Sequence, residues 1–389
     1  MKIASILARL AVALCCGFAA LSAVRLAMAE TLFRQDSPQS ITRALNVQGD
    51  IRSAAFEERL PEIDPANARG ALEAAIALDP RASAAWIDLG LEAERLGDFP
   101  RAEQCLLEAA RVDRQRMPAW TLTNFYFRRA DSEAFWRWAN VAANLTSDDF
   151  RPLLTLCDRF EQDPDRLVAR FASASAIRLP YLRFLIGANR LDAAQRVARA
   201  MIGDHANDPY LIDFADRQLR AGNADAALEL WNASSGFPPL DSRAGRFLFN
   251  GDLRRAPLNL GFDWRLGQAS GATPMWKPSE LVLRLSGSQP ETCILLSQTL
   301  YLPPGRFRLR YDYLTGEPPP TGIRWSLNAG EGPEIAPSGD WKEGTFELPR
   351  TPGLAELKLM YRRELGTVRT EGKIELRNLR LEASSFPKK

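Results

Sequence analysis

The chain has 389 residues, 46% of them hydrophobic, which is too long for one ordinary domain and apolar enough to build two or three cores. Its 50 basic and 48 acidic residues leave a formal charge of +2, which excludes a global electrostatic drive toward nucleic acid or another strongly acidic polymer. Apart from Lys2, every lysine lies at or after Lys277, and this composition shift divides the chain into two segments.

At the N-terminus, Lys2 and Arg9 precede an apolar run from Leu10 to Val24, and Ala27, Met28 and Ala29 offer the small residues of a signal-peptidase site. Residues 1–29 therefore form a signal or anchor segment. Arg25 interrupts the run, but its long side chain near a helix end can reach the interface, so about 20 residues can span a bilayer. The expectation is a retained anchor in the inner membrane, with the basic residues inside and the bulk of the chain at the periplasmic face. Cleavage after Ala29 would instead leave a soluble periplasmic protein. Cys105, Cys157 and Cys293 show no CxxC spacing, so neither a disulfide framework nor a zinc site is expected.

Next comes a helical region, expected over 37–235. Trp86 and Trp120 lie 34 positions apart, and Leu89, Gly90, Gly97, Asp98, Ala102, Leu106 and Ala109 fall between them at the spacings of a helix-turn-helix repeat. The small Gly90 and Ala102 allow two helices to approach, and the large Trp86, Leu89 and Leu106 fill the space between one pair and the next. Gly97 can take a left-handed conformation that closes the first helix, and Asp98 can cap the second. Counting back places Ala68, Leu72, Ala75 and Pro80 in the same roles. These residues resemble the tetratricopeptide repeat family, closely over 66–120 and more loosely at "RLDAAQRVARAM" (190–201) and "GNADAALELW" (222–231), while the segment between keeps helical periodicity without the glycines. The resemblance implies a solenoid whose concave face binds a protein or peptide segment. Trp86, Trp120, Trp136 and Trp138 read as solenoid core, and Asp88, Glu92, Arg95, Asn124 and Arg128 are the groove candidates.

Beyond "GFPPLD" (236–241), a linker by its glycine and prolines, the apolar period changes from three or four to two. "ELVLRLSG", "CILLSQTLYL", "RFRLRYDYL", "GIRWSLNAG", "GTFELP", "AELKLMYRR" and "GKIELRNLRLE" each predict a strand, and together an antiparallel β-sandwich over 245–386. "SQTLYLPPGRFRLRYDYLTG" and "GKIELRNLRLE" resemble the jelly-roll modules of the galactose-binding-like and carbohydrate-binding class. "FNGDLRRAPLNLGFDWRL" (249–266) resembles their opening strand. Leu253 and Arg254 depart from its usual phenylalanine and glutamate, where such modules often hold structural calcium, so no metal is expected.

A pyranose stacks on an exposed aromatic ring while carboxylates, amides and arginines take its hydroxyls. Trp276, Trp341, Trp264, Tyr301, Asp263, Arg324 and Asp340 are the carbohydrate-contact candidates, with Trp276 and Trp341 expected in exposed loops. A coplanar pair among Trp264, Trp276, Trp341 and Tyr301 would favour sugar; burial of all four would favour docking of protein. His205 is the only histidine and sits in a polar turn, so no Ser-His-Asp or Cys-His relay is evident. "EGPEIAPSGD" (331–340) reads as a solvated loop rather than a catalytic carboxylate pair. There is no phosphate loop or dinucleotide fingerprint, and no cofactor is expected.

The expected fold is thus an α + β multidomain chain: an apolar anchor or signal, an α-helical TPR-like solenoid and a C-terminal β-sandwich of jelly-roll type. The expected function is a non-catalytic envelope scaffold. Its repeats would hold a protein partner, and its sandwich would contact an envelope component in polysaccharide or exopolysaccharide assembly or export. A carbohydrate-binding protein in which the repeats are a spacer is the alternative.

Overall fold

The computed structural model describes residues 2–35, 37, 39–40, 43–44, 68–241, 243–350 and 352–383. Among them are twelve α-helices followed by ten strands. Residues 45–67, the early part of the expected helical region, and 384–386 at the end of the expected sandwich lie outside the described residues. Helix α1 (Lys2–Phe33) contains Val12–Leu32, 21 residues of mean hydropathy 1.9 with 6% buried, which is long and apolar enough to cross a membrane. By length and composition it fits an anchor or a signal segment equally well.

The remaining helices are α2 (Ala68–Leu78), α3 (Ser83–Arg95), α4 (Phe99–Val112), α5 (Arg116–Arg129), α6 (Ser132–Asn144), α7 (Arg151–Phe160), α8 (Pro164–Ala169), α9 (Ala174–Gly187), α10 (Leu191–Arg199), α11 (Asp208–Arg220) and α12 (Ala224–Ser234). The α3–α4 hairpin is built as its residues require. Gly97 has φ +82°, and the next amide, Asp98 N, donates back to Ala93 O at 2.9 Å, which closes α3. The Asp98 side chain then accepts from Arg101 N at 3.2 Å and starts α4. A Cβ on Gly90 would lie 2.8 Å from Leu106 Cδ2, so glycine is what lets the pair close. Leu72, Ala75, Ala85, Leu89 and Cys105 form the core beneath, with Trp86 packed against its edge. Of the four tryptophans read as solenoid core, Trp136 is buried, whereas Trp86, Trp120 and Trp138 are half-buried.

The same turn recurs three times, twice without glycine. Ala130 has φ +55°, Asn189 φ +56° and Gly222 φ +84°. In each case the following amide (Asp131, Arg190, Asn223) donates to the carbonyl five residues before it (Tyr126, Leu185, Gln218). The hairpin missing from the residue pattern, α5–α6, is therefore present in the backbone, with Ala130 accepting the left-handed conformation.

The strands are β1 (Arg265–Leu266), β2 (Ala272–Lys277), β3 (Glu280–Ser286), β4 (Thr292–Leu302), β5 (Phe307–Thr315), β6 (Ile323–Leu327), β7 (Gly330–Glu334), β8 (Lys342–Glu347), β9 (Gly353–Arg362) and β10 (Glu371–Ala383). Two five-stranded antiparallel sheets, ordered β1-β4-β9-β6-β7 and β2-β3-β10-β5-β8, pack face to face. Leu283, Leu296, Leu309, Trp325, Leu357, Leu359, Ile374 and Leu376 are buried between them, as the two-residue period requires. All seven predicted strands are present. Three expectations are corrected. The expected opening strand at 249–266 is strand only at Arg265–Leu266 and otherwise runs through turns and bends. "TPMWKPSE", read as a loop, contributes edge strand β2, and the loop expected over 331–340 begins as edge strand β7. Short edge strands carrying proline and charge lack the apolar alternation that marks a central strand.

Contacts divide the chain into two compact units, Met1–Phe184 and Leu185–Lys389. The composition break at 236–241 lies inside the second unit, because α11 and α12 pack directly on the β-rich part. Trp231 of α12 is fully buried, with its ring 5.1 Å from Phe249 and 6.0 Å from Phe262. Gly261 sits flat against that ring, where any Cβ would collide with it. Buried Asp216 of α11 accepts from Gly261 N at 2.6 Å and from Arg265 Nη2 at 2.8 Å, and also pairs with Arg220. Trp231 and Asp216 thus seat the two helices on the segment that leads into the sandwich.

Candidate binding cleft

A cleft of about 990 Å3 opens in the second unit, lined by α10, the α11–α12 turn, Tyr301 of β4 and Leu354 of β9. Ligand clefts typically span about 300 to 1,000 Å3, so this one is ample. Its floor is a chain of amides. Gln195 and Gln218 are buried, Gln218 Nε2 donates to Gln195 Oε1 at 3.0 Å, and Asn223 Nδ2 donates to Gln218 Oε1 at 2.9 Å. Gln195 Nε2 in turn donates to Glu229 Oε2 at 3.1 Å, and Arg199 grips the same carboxylate with Nε at 2.7 Å and Nη2 at 2.8 Å. Arg199 first, then Gln195, holds Glu229 below the usual carboxylate range against the cost of its burial.

At the wall, the Tyr301 phenol faces the Asp225 carboxylate, whose proximity raises the pKa of the phenol. With the turn closed by Gly222, the start of α12 brings Asn223 and Asp225 into the lining. Two carboxylates (Asp192, Asp225) and two guanidiniums (Arg196, Arg199) line the space, so their formal charges cancel. The arrangement offers fixed donors and acceptors beside one aromatic ring, which is the chemistry of binding a neutral, hydroxyl-rich molecule.

Of the sequence-derived carbohydrate candidates, only Tyr301 belongs to this cleft. Trp264 and Asp263 are corrected: both are completely buried and out of reach of a surface ligand. Trp264 Nε1 donates to Asn250 O at 3.1 Å inside the core. Asp263 accepts from Leu258 N at 2.7 Å, Trp264 N at 2.8 Å and Asn250 Nδ2 at 3.3 Å, and burial still pushes its carboxyl up to about 6. It braces the irregular segment that stands where a strand was expected.

Trp276, expected in an exposed loop, pairs in register with Leu281 on the inner face of β2, and its Nε1 donates to Leu253 O at 2.8 Å. Trp341 is half-buried just before β8, with the Arg377 guanidinium 3.9 Å above its ring, where a sugar would have to stack. Because β2 and β8 are opposite edges of one sheet, four strand spacings, or about 19 Å, separate them. Tyr301 belongs to the other sheet, so the four aromatics supply no coplanar pair. Arg324 lies on β6 within ion-pair range of Glu331 (3.6 Å) and Glu364 (3.9 Å), and Asp340 is exposed.

In the helical region, Asp88, Glu92 and Arg95 fall on α3, with Asp88 and Arg95 exposed and Glu92 half-buried. On α5, Asn124 Nδ2 bonds Trp120 O at 2.8 Å, and Arg128 makes a two-pronged pair with Glu94 of α3 at 2.7 and 2.6 Å. That pair ties one hairpin to the next. Gln195, Arg199, Gln218, Asn223 and Asp225 were not singled out from the sequence. Nothing in "LDAAQRVAR" or "GNADAAL" announces that these residues will meet a β-strand.

No protein-family model matches the chain, and no curated protein matches it. The C-terminal sandwich is similar to solved carbohydrate-binding modules. One is a family 61 module in complex with β-1,4-galactotriose, at 16% identity over 36% of this chain and 98% of that one, with a TM-score of 0.25. Another is a variant of a family 29 module, at 12% identity over 30% of this chain and 79% of that one, with a TM-score of 0.21. A third is a family 29 variant complexed with mannohexaose, at 13% identity over the same shares, with a TM-score of 0.21. The likeness is confined to about a third of the chain.

Proposed function

We propose that this is a non-catalytic binding protein, exported and held at the periplasmic face of the inner membrane by α1. Its helical hairpins, arranged as tetratricopeptide repeats, dock a protein partner, and its second unit takes a neutral, hydroxyl-rich segment of an envelope polysaccharide. The observation that carries the reading is the cleft beside Tyr301, where a charge-balanced set of amides, carboxylates and guanidiniums faces one aromatic wall. A hydroxyl ligand exchanges water for such a fixed lattice at little cost, because Gln195, Gln218 and Asn223 are already held by one another. Tyr301 supplies the apolar face that a pyranose needs.

The test is calorimetric titration of the full-length chain in detergent against a panel of neutral polysaccharides and their oligosaccharides. Saturable binding should weaken several-fold, up to about tenfold, in Tyr301→Ala, the size of a lost aromatic contact. It should weaken less in Tyr301→Phe, which keeps the ring and removes only the hydroxyl. Equal affinity in the wild type and Tyr301→Ala would remove the cleft from the proposal. Absence of any glycan binding by the folded chain would leave protein scaffolding as the function.

A further inference from the structure

The β9–β10 connection carries the most exposed large apolar side chains described in the second unit. Leu365 is 98% exposed and Val368 is 87% exposed, whereas the next, Leu258, is 41% exposed. An isolated exposed leucine needs no explanation, but this pair sits on a pedestal built with buried polar groups. At one foot Arg363 N donates to Glu291 O at 2.7 Å, and the Arg363 guanidinium pairs with the Glu291 carboxylate, also at 2.7 Å. At the other foot Thr370 is held on three sides: Gln289 Nε2 donates to its carbonyl at 2.8 Å, Thr321 N donates to its Oγ1 at 2.8 Å, and its own amide donates to Tyr361 Oη at 3.3 Å. Gln289 and Tyr361 are themselves fully buried. Gly366, at φ +84°, turns the tip, and Thr367 closes it with N and Oγ1 both on Glu364 O, at 3.2 and 2.8 Å. The loop is therefore preorganised to present two apolar side chains to water, and it forgoes their burial to do so.

The shape of the tip selects its partner. Two side chains on a convex turn cover far less than the roughly 800 Å2 per partner of a stable protein interface. A bilayer has no such threshold, because its surface deforms around an apolar tip and the gain scales with the area inserted. The charges that flank the tip are paired: Arg362 with Glu331 and Arg363 with Glu291, both at 2.7 Å, and Glu364 lies 3.9 Å from Arg324, which leaves a nearly balanced collar suited to the polar headgroup layer. Helix α1 supplies proximity: a chain tethered to a membrane meets it at high effective concentration, so even weak insertion is occupied.

We propose that the Glu364–Arg369 turn inserts Leu365 and Val368 into the surface of the lipid bilayer to which α1 holds the chain. This rests on the tether reading above. The test uses full-length protein, with Cys15 and Cys16 replaced by serine, reconstituted in phosphatidylcholine vesicles and carrying a polarity-sensitive fluorophore on a Leu365→Cys substitution. The expected result is blue-shifted emission that spin-labelled lipid quenches, insensitive to a tenfold rise in ionic strength, while the same label on Asp340→Cys stays in water. Val368→Asp in the labelled chain should reduce the inserted fraction about tenfold or more.

Four outcomes separate the claims. A water-like label on a chain that resists alkaline extraction overturns the insertion and spares the tether. A shifted, quenched label on a chain that alkaline carbonate releases supports insertion and removes the tether. A shift that appears without lipid assigns the tip to a second copy of the chain and overturns the proposal. A shift lost at high salt marks electrostatic adsorption and also overturns it.

Discussion

The α3–α4 hairpin of the first unit and the α11–α12 hairpin of the second turn through the same backbone geometry, but only the second buries charged and amide side chains among its apolar ones. The first buries Ala85, Ile87, Leu89, Ala93, Ala102, Cys105, Leu106 and Ala109, and no charged or amide side chain. The second buries Asp216 and Gln218 at 3% and 1% exposure, and Gln195 joins them from α10. Burying such groups gains nothing over apolar packing unless every partner is in place. A helical hairpin therefore does not need them to form. They occur where the hairpin serves a neighbour: Asp216 clamps Gly261 and Arg265 of the β-rich part, and the glutamines floor the cleft.

The sharpest way to break this comparison is Trp231→Ala. Removing a fully buried indole wedged against Phe249, Phe262 and Gly261 should cost the second unit about 4 kcal/mol in urea unfolding. The first unit, which has its own core, should keep its unfolding midpoint. A loss under about 1 kcal/mol would mean that Trp231 does not seat the helices on the β-rich part.

Titration gives the next effect in size. The Asp263 carboxyl is raised from 3.8 to about 6 in the folded chain. A raised folded value means that the native state binds the proton more tightly, so the stabilisation is full below about pH 4 and is lost as pH rises through 6. The change reaches at most about 3 kcal/mol. Asp263→Asn should flatten the fall in stability between pH 4 and 7, read as urea midpoints at each pH. An unchanged slope would assign it to other groups.

The smallest effect tests whether the turns are equivalent. Ala130 holds φ +55° where Gly97 holds +82° in the matching turn. Ala130→Gly should raise the stability of the first unit by about 0.5 to 1 kcal/mol, because glycine adopts the left-handed region without steric cost. A loss of stability would show that the Ala130 methyl contributes more by packing than it costs by strain.

How much was legible can be argued from the same residues. Gly97, Asp98, Gly90 and Leu106 announced a hairpin because each acts on neighbours a few positions away. The seven strands announced themselves by burying every second residue. Ala130 hid its turn because an alanine in the left-handed region leaves no compositional mark. Trp276 was misplaced for a related reason. A tryptophan with a proline two positions away on either side reads as a loop residue, and only the register with β3 turns it inward.

By itself, the amino-acid order determined what local physics controls: an apolar segment long enough for a bilayer, helical hairpins with their caps, and alternating strands that must close into a sandwich. Only tertiary structure decided which residues meet. The cleft joins Gln195 and Asn223 to Tyr301 across a linker and a change of secondary structure, and the pedestal under Leu365 joins Gln289, Thr321 and Thr370 from three separate connections. Such sites arise because closing the sandwich fixes loop ends beside one another, and because one buried indole, Trp231, seats the helices on the β-rich part.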